Sequence, residues 1–355
     1  MSVTISTTIN GSVPLPEPNT ALPPDADTLP IIDVSSYIPN HPNNTPEARQ
    51  QTAKALHAAC RDFGFFYLNI ASLIEEAQTN ELAELGHQFF RLKQEVKDAL
   101  HIQNQDLARG ESRRHTRTWL ILERLCLILS QGIRDWETDM HEGLDFYAPV
   151  AKPDKTKPLW GENQWPTDED LPGFRSAYEK WIVQMKDMAD GLGMTGEEWL
   201  DLRAKIDDSF WVMRVIGYPP LKDEADGISC GAHNLLFADP TPRALQVFRH
   251  AAKTENLEEA GPGSFGTVKS LTFEQIWTNG LYKSTIHRVV HRGTNFRVPF
   301  FFEPNFDALV EPLPAALRLP EVQGKAEERY QSVVYGEFLY KKVSNNFSLG
   351  KGRYD

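Results

Sequence analysis

The stretch from Asn279 to Asn305, NGLYKSTIHRVVHRGTNFRVPFFFEPN, constrains the fold more than any other part of the chain. Its HRVVH core has two histidines four residues apart, a spacing that also suits one face of a helix. The surrounding residues decide for strand. Val289 and Val290 are β-branched, Arg292-Gly293 supplies a turn, and the run from Phe296 to Phe302 fits a pleated surface. Arg288 also stands where a helical zinc-protease motif needs glutamate.

On a strand, His287, Val289 and His291 share one side, and the intervening residues point to the other. At about 3.3 Å per residue the two histidines lie roughly 13 Å apart, too far to hold one metal at about 2.1 Å each. One of them can be a ligand; His291, beside the turn, reads as an ordinary polar group at a strand end. His287 on one strand and Arg297 on the next thus combine a potential metal ligand with a fixed cation for a carboxylate.

Other segments bear on the same reading: LPIIDVSSY (residues 29–37), FGFFYL (63–68), HEGLDFY (141–147), LWGENQWP (159–166), DDSFWVMRVIGYPPL (207–221), DGISCGAH (226–233), ALQVF (244–248) and YGEFL (335–339). In this order, with the 279–305 segment, they resemble the isopenicillin N synthase-like non-haem iron, 2-oxoglutarate-dependent dioxygenases of the fungal type. The resemblance implies a mainly β fold with helical flanks, in which a double-stranded β-helix (jelly-roll) barrel follows an α/β N-terminal region. Fe(II), 2-oxoglutarate as co-substrate and O2 are the implied reactants. The implied reaction is hydroxylation or desaturation of a small organic molecule.

Family ligands map residue by residue. The first iron histidine is His233 and the second is His287; Arg297 matches the arginine that pairs with the distal carboxylate of 2-oxoglutarate, and Tyr218 a tyrosine that hydrogen-bonds it. The aspartate of the HxD motif is missing, because His233 is followed by Asn234 and Leu235. A block of about eight residues carrying that aspartate and a core strand is expected to be absent. Asp239 is the nearest replacement, although Asp239-Pro240 also reads as a turn opener. Asn234 offers only a neutral oxygen. A vacant position for halide is disfavoured by the bulk of Leu235. The serine that normally follows the arginine by two residues is also missing, because Arg297-Val298-Pro299 runs into Phe300.

These blockwise departures leave two alternatives to an active enzyme: a degenerate, non-catalytic binding protein on the dioxygenase fold, or a mis-joined coding sequence of an active one. An atypical insert over 111–140 contains Trp119 to Leu129, which is too short and too charged to span a bilayer and reads as a surface helix. The expected organisation is a flexible leader (1–28), an N-terminal dioxygenase region (29–150), connecting helices (151–206), the jelly-roll (207–305), and a C-terminal helix and tail (306–355), with Thr45 as the N-cap of a helix to Asp62 and strands over Phe63–Ile70, Val212–Tyr218, Ala244–Phe248, Ile286–His291 and Arg297–Phe302.

Composition narrows the partners. A formal net charge of −12, from 37 Lys+Arg against 49 Asp+Glu, disfavours nucleic acid, and any pull on an anionic co-substrate must come from local groups such as Arg297. Three widely spaced cysteines and the lack of a basic-then-apolar N-terminus suggest a reducing, cytoplasmic setting. A monomer that binds a small-molecule substrate, without membrane or nucleic acid, is the expectation. Cys230, three residues before His233, reads as a buried small hydrophobe.

Overall fold

The computed structural model describes residues 2–3, 8–9, 13–14, 16–23, 28–106, 108–113, 142–189, 197–218, 228–230, 235–238, 245–247, 273–282, 287–290, 295–323 and 330–344. Thirteen strand segments are used below: β1 (Ser2–Val3), β2 (Ile31–Asp33), β3 (Tyr67–Asn69), β4 (Gly110–Arg113), β5 (Glu142–Tyr147), β6 (Val212–Tyr218), β7 (Ile228–Cys230), β8 (Leu235–Ala238), β9 (Leu245–Val247), β10 (His287–Val290), β11 (Asn295–Phe301), β12 (Leu309–Val310) and β13 (Val333–Val334). The main sheet runs β2-β3-β1-β8-β11-β6-β5-β4, and a smaller one runs β9-β10-β7. From β8 to β4 all neighbours are antiparallel, which suits a sheet covered unequally on its two faces.

Alternation gives each central strand two different faces. Leu144 and Phe146 of β5, Met213 and Val215 of β6, and Phe296, Val298 and Phe300 of β11 form one apolar surface and are all fully buried. Helix α1 (Pro46–Ala58) starts the N-terminal helical region, with the Thr45 hydroxyl accepting from the Ala48 amide at 3.2 Å as the expected N-cap. Helices α2 (Glu76–Arg91) and α3 (Phe174–Ala189) pack on each other, and α2 also packs on β6 and β11. Phe89, Phe174, Tyr178 and Trp181 come from these helices to fill the space above the sheet.

The close approach depends on glycines. A Cβ on Gly217 would come within 2.7 Å of the Phe90 ring, and one on Gly86 would collide with the Phe296 ring. β11 is the keystone of the sheet, held between β8 and β6, yet it carries Pro299. Pairing with β6 is recorded at Asn295, Phe296 and Arg297 and again at Phe300 and Phe301, so the ladder is interrupted around the residue that cannot donate.

Expected strand positions hold to within a residue or two. Val212–Tyr218 is a strand over its whole predicted length, and the strands near Ala244, Ile286 and Arg297 are found as β9, β10 and β11. Leu235–Ala238, directly after the position of the missing aspartate, is a strand of the main sheet, its Leu-Leu-Phe-Ala alternation letting it pair with β11. Two expectations need correction. The leader is not wholly irregular, since Ser2–Val3 pairs in parallel with β8 and β3. The 1–28 segment also ties down through Asn19, whose side chain bonds Asp33 and Thr52. Finally, the strand predicted from Phe63 begins at Tyr67, because residues 59–63 continue α1 as a π-turn that ends on left-handed Gly64 (φ 67°).

LWGENQWP proves to be a structural clamp. Asn163 exchanges hydrogen bonds with the backbone of Tyr147 on β5 (3.0 and 2.8 Å), and the Gln164 amide donates to the Arg109 carbonyl at 2.8 Å. Beneath it lies a fully buried ion pair, Arg109 Nη1 to Asp106 Oδ2 at 2.5 Å, with the Gly161 amide donating to the same carboxylate oxygen. Among the described residues, no helix is long and apolar enough to cross a membrane. The surface-helix reading of 119–129 lies outside the described residues.

Candidate active site

The face of the main sheet turned away from the helices carries a different chemistry. Register lines up Ser112, Gly143, Ile216, Arg297 and Ala238 as one row across β4, β5, β6, β11 and β8. The adjoining row contains Gly110, Asp145 and Arg214, with Asp145 directly opposite Arg214. At the other end, Tyr218 lies opposite Asn295.

Arg297 and Tyr218, singled out together from the sequence, are brought together. Arg297 is 3% exposed and its guanidinium lies over the Tyr218 ring at 5.9 Å from the centroid; Tyr218 is also 3% exposed. Both make further contacts. A buried arginine held over a phenol ring is a planar donor suited to a carboxylate that must bind in one orientation. These two residues fit one end of a dicarboxylate.

His287 opens β10 in the smaller sheet, where its backbone pairs with Val247 of β9. Its side chain lies outside the described residues, as do His233, Asp239 and His291 entirely. Chain neighbours bracket two of them: Leu235, two residues after His233, starts β8, and Ala238, immediately before Asp239, is the cross-strand partner of Arg297. Among the described residues there is no group of three or more His, Cys, Asp or Glu that could hold a metal. Cys230 ends β7 with its backbone paired to Arg288.

Sequence reasoning missed a charged pair on the face that carries Arg297. Arg214 Nε donates to Asp145 Oδ1 at 2.8 Å, and the side chains are 11% and 9% exposed. Burial lowers the guanidinium's affinity for its proton, but the charge of Asp145 and this hydrogen bond outweigh burial and hold Arg214 above its ordinary value. Tyr147, two residues beyond Asp145, is pushed far above the usual phenol range, first by burial and then by the Asp145 charge. It stays a neutral hydroxyl. The available signal was a lone charge in VMRVIGY, a strand otherwise without one.

Residues 29–168 match the family model described as the non-haem dioxygenase in morphine synthesis, N-terminal. The homoarginine-6-hydroxylase 2-ODD-C23 of Glycine max is 31% identical over 91% of this chain and 98% of its own length. The 2-oxoglutarate-dependent dioxygenase frbJ of Dothideomycetidae sp. (strain 11243) is 26% identical over 89% of this chain and 85% of its own. Among solved structures, the full-length T7H of Neurospora crassa in complex with alpha-KG superimposes with a TM-score of 0.66 at 20% identity, covering 93% of this chain and 99% of that one. A putative 2OG-Fe(II) oxygenase of Caulobacter crescentus gives a TM-score of 0.62 at 18% identity, over 89% and 98%. The two sheets are accordingly those of a double-stranded β-helix with helical flanks. With near full-length coverage on both sides and the buried Arg297–Tyr218 pair in place, this chain belongs to the isopenicillin N synthase-like, non-haem Fe(II)/2-oxoglutarate-dependent dioxygenases.

Proposed function

We propose that the chain oxidises a small organic molecule, by hydroxylation or desaturation, with 2-oxoglutarate and O2 as co-substrates. Arg297 receives the distal carboxylate of 2-oxoglutarate, with the Tyr218 hydroxyl beside it. His233 and His287 supply imidazoles to Fe(II), and Asp239 supplies the carboxylate missing from the HxD position. The burial of Arg297 against Tyr218 is the single observation that carries this reading. An arginine at 3% exposure, held over the Tyr218 ring, is kept from bulk water, so that a charge-assisted bond from it to a carboxylate is strong.

When bound, the iron would supply the oxidising chemistry, using two electrons from the decarboxylation of 2-oxoglutarate. The protein's own part is positional. Arg297 and Tyr218 fix one end of the co-substrate, while the packed rings behind β11 hold that strand in register. The protein is further read as a cytoplasmic monomer acting on a small molecule and not on nucleic acid; the net charge of −12 supports the last point.

The test measures 2-oxoglutarate binding and succinate release by the full chain with Fe(II) under controlled oxygen. Removing one partner of a buried charge pair costs about 2–5 kcal/mol, so Arg297→Gln should weaken 2-oxoglutarate binding by roughly 30-fold or more. Binding lost in the variant, together with succinate release by the wild type, supports the enzyme. Binding without any succinate would point to the non-catalytic reading, which the missing HxD aspartate favours. Equal affinity in a folded Arg297→Gln variant removes the basis of both.

A further inference from the structure

Behind the co-substrate pair, on the helix side of the main sheet, Phe90, Lys97 and Glu142 converge on the backbone that carries it. Gly217 and Phe296 are cross-strand partners on that side of β6 and β11, and each is the chain neighbour of a residue on the other face: Gly217 precedes Tyr218, and Phe296 precedes Arg297. Phe90, in the last turn of α2, meets both. A Cβ on Gly217 would lie 2.7, 2.8 and 2.9 Å from three atoms of the Phe90 ring, so the ring rests on bare backbone, and its centroid is 6.4 Å from that of Phe296. Glycine leaves a strand its widest backbone freedom; here a ring from another element takes the place of the absent side chain.

Phe90 is itself held. Lys97, on the short helix Gln94–Ala99, donates from Nζ to the Phe90 carbonyl at 3.0 Å, one of the carbonyls that the end of α2 leaves without a helical partner. The same ammonium pairs with Glu142 at 2.8 Å, and Glu142 is the cross-strand partner of Gly217 on β5. The row Glu142–Gly217–Phe296 is therefore gripped by a ring at its centre and an ion pair at one end, with the Lys97 and Glu142 side chains only 7% and 18% exposed. Any shift of this row passes along the backbone to Tyr218 and Arg297, and a misplacement of about 1 Å at a binding group can cost up to about a hundredfold. We propose that Phe90, fixed by Lys97 and Glu142, is a positioning residue for 2-oxoglutarate: it acts through Gly217 on Tyr218 and through Phe296 on Arg297, and sets co-substrate affinity without touching the co-substrate. This role rests on the oxygenase reading above and deepens it.

Anaerobic calorimetric titration of the full chain, with Fe(II) present and 2-oxoglutarate as the probe, tests it beside succinate release. Phe90→Ala should raise Kd and KM for 2-oxoglutarate by roughly tenfold, with kcat within about threefold. Phe90→Leu, which still covers part of Gly217, should lose roughly threefold and decides the matter should Phe90→Ala not fold. Lys97→Gln, which gives up the ammonium that holds the Phe90 carbonyl, should weaken binding in the same direction, and Lys97→Arg should recover part of the loss. Ile182→Ala, which removes apolar packing from the same core on α3, is the control: it should lower the thermal midpoint yet leave 2-oxoglutarate affinity within about twofold. Unchanged affinity in a folded Phe90→Ala or Phe90→Leu variant, or an equal loss in Ile182→Ala, would overturn the proposal. Failure of the co-substrate reading shows separately, as 2-oxoglutarate binding that does not respond to Arg297→Gln.

Discussion

Replacing Gly86 by alanine sets two effects of opposite sign against each other. In the middle of α2, alanine is favoured over glycine by about 0.5–1 kcal/mol, because the unfolded chain loses less freedom. At this site the new Cβ would run into the Phe296 ring and sit 2.8 Å from the Tyr178 hydroxyl. Phe296 is fully buried, between His87 (centroids 5.2 Å apart) and Phe90 (6.4 Å), so its ring has nowhere to turn. Overpacking of this kind costs about 1–3 kcal/mol, so the net effect should be a loss of about 1–2 kcal/mol. Urea denaturation followed by far-UV circular dichroism reads the change. Gly86→Ala combined with Phe296→Leu should recover part of the loss, since the two positions are in contact and will not add. If Gly86→Ala alone raises stability, propensity has won, and helix α2 does not press on β11 as closely as described.

Asp106→Ala should destabilise the protein by about 3–5 kcal/mol, because it strands the fully buried Arg109; the thermal midpoint measures it, and a shift no larger than a surface substitution gives would contradict the clamp. Burial raises the Tyr282 phenol to about 12, while the unfolded chain releases that proton near its ordinary value. Between those two pH values the folded state binds more protons than the unfolded one, so stability falls as pH rises through the window. Tyr282→Phe, which also removes the 2.8 Å contact with His57 Nδ1, should flatten this alkaline slope in pH-dependent melting; an unchanged slope refutes the assignment.

The strands of the 279–305 segment were legible because β-branched and aromatic residues alternate there around an unmistakable turn. Arg297 and Tyr218 could be named from motif resemblance, but their contact could not. It depends on β11 pairing with β6 in a register that puts Asn295 opposite Tyr218. Asp145 and Arg214 lie 69 residues apart and face each other only after the same kind of pairing, so the lone charge in VMRVIGY called for a partner without saying which. LWGENQWP entered only as one of the segments that carry the family resemblance; its structural role, with Asn163 and Gln164 directing their amides at backbone, was not legible. The π-turn at 59–63 escaped notice since a helix end gains one residue there without any change in apolar spacing.

The two-sidedness of β5, β6 and β11 also bears on how such a protein could acquire a new preference. Every second residue is committed to rings and aliphatic chains beneath the helices, where almost any change costs stability. On the opposite surface Ser112 and Gly143 stand beside the buried Asp145–Arg214 pair, so a library randomised at those two positions would vary the polar face without stranding a buried charge.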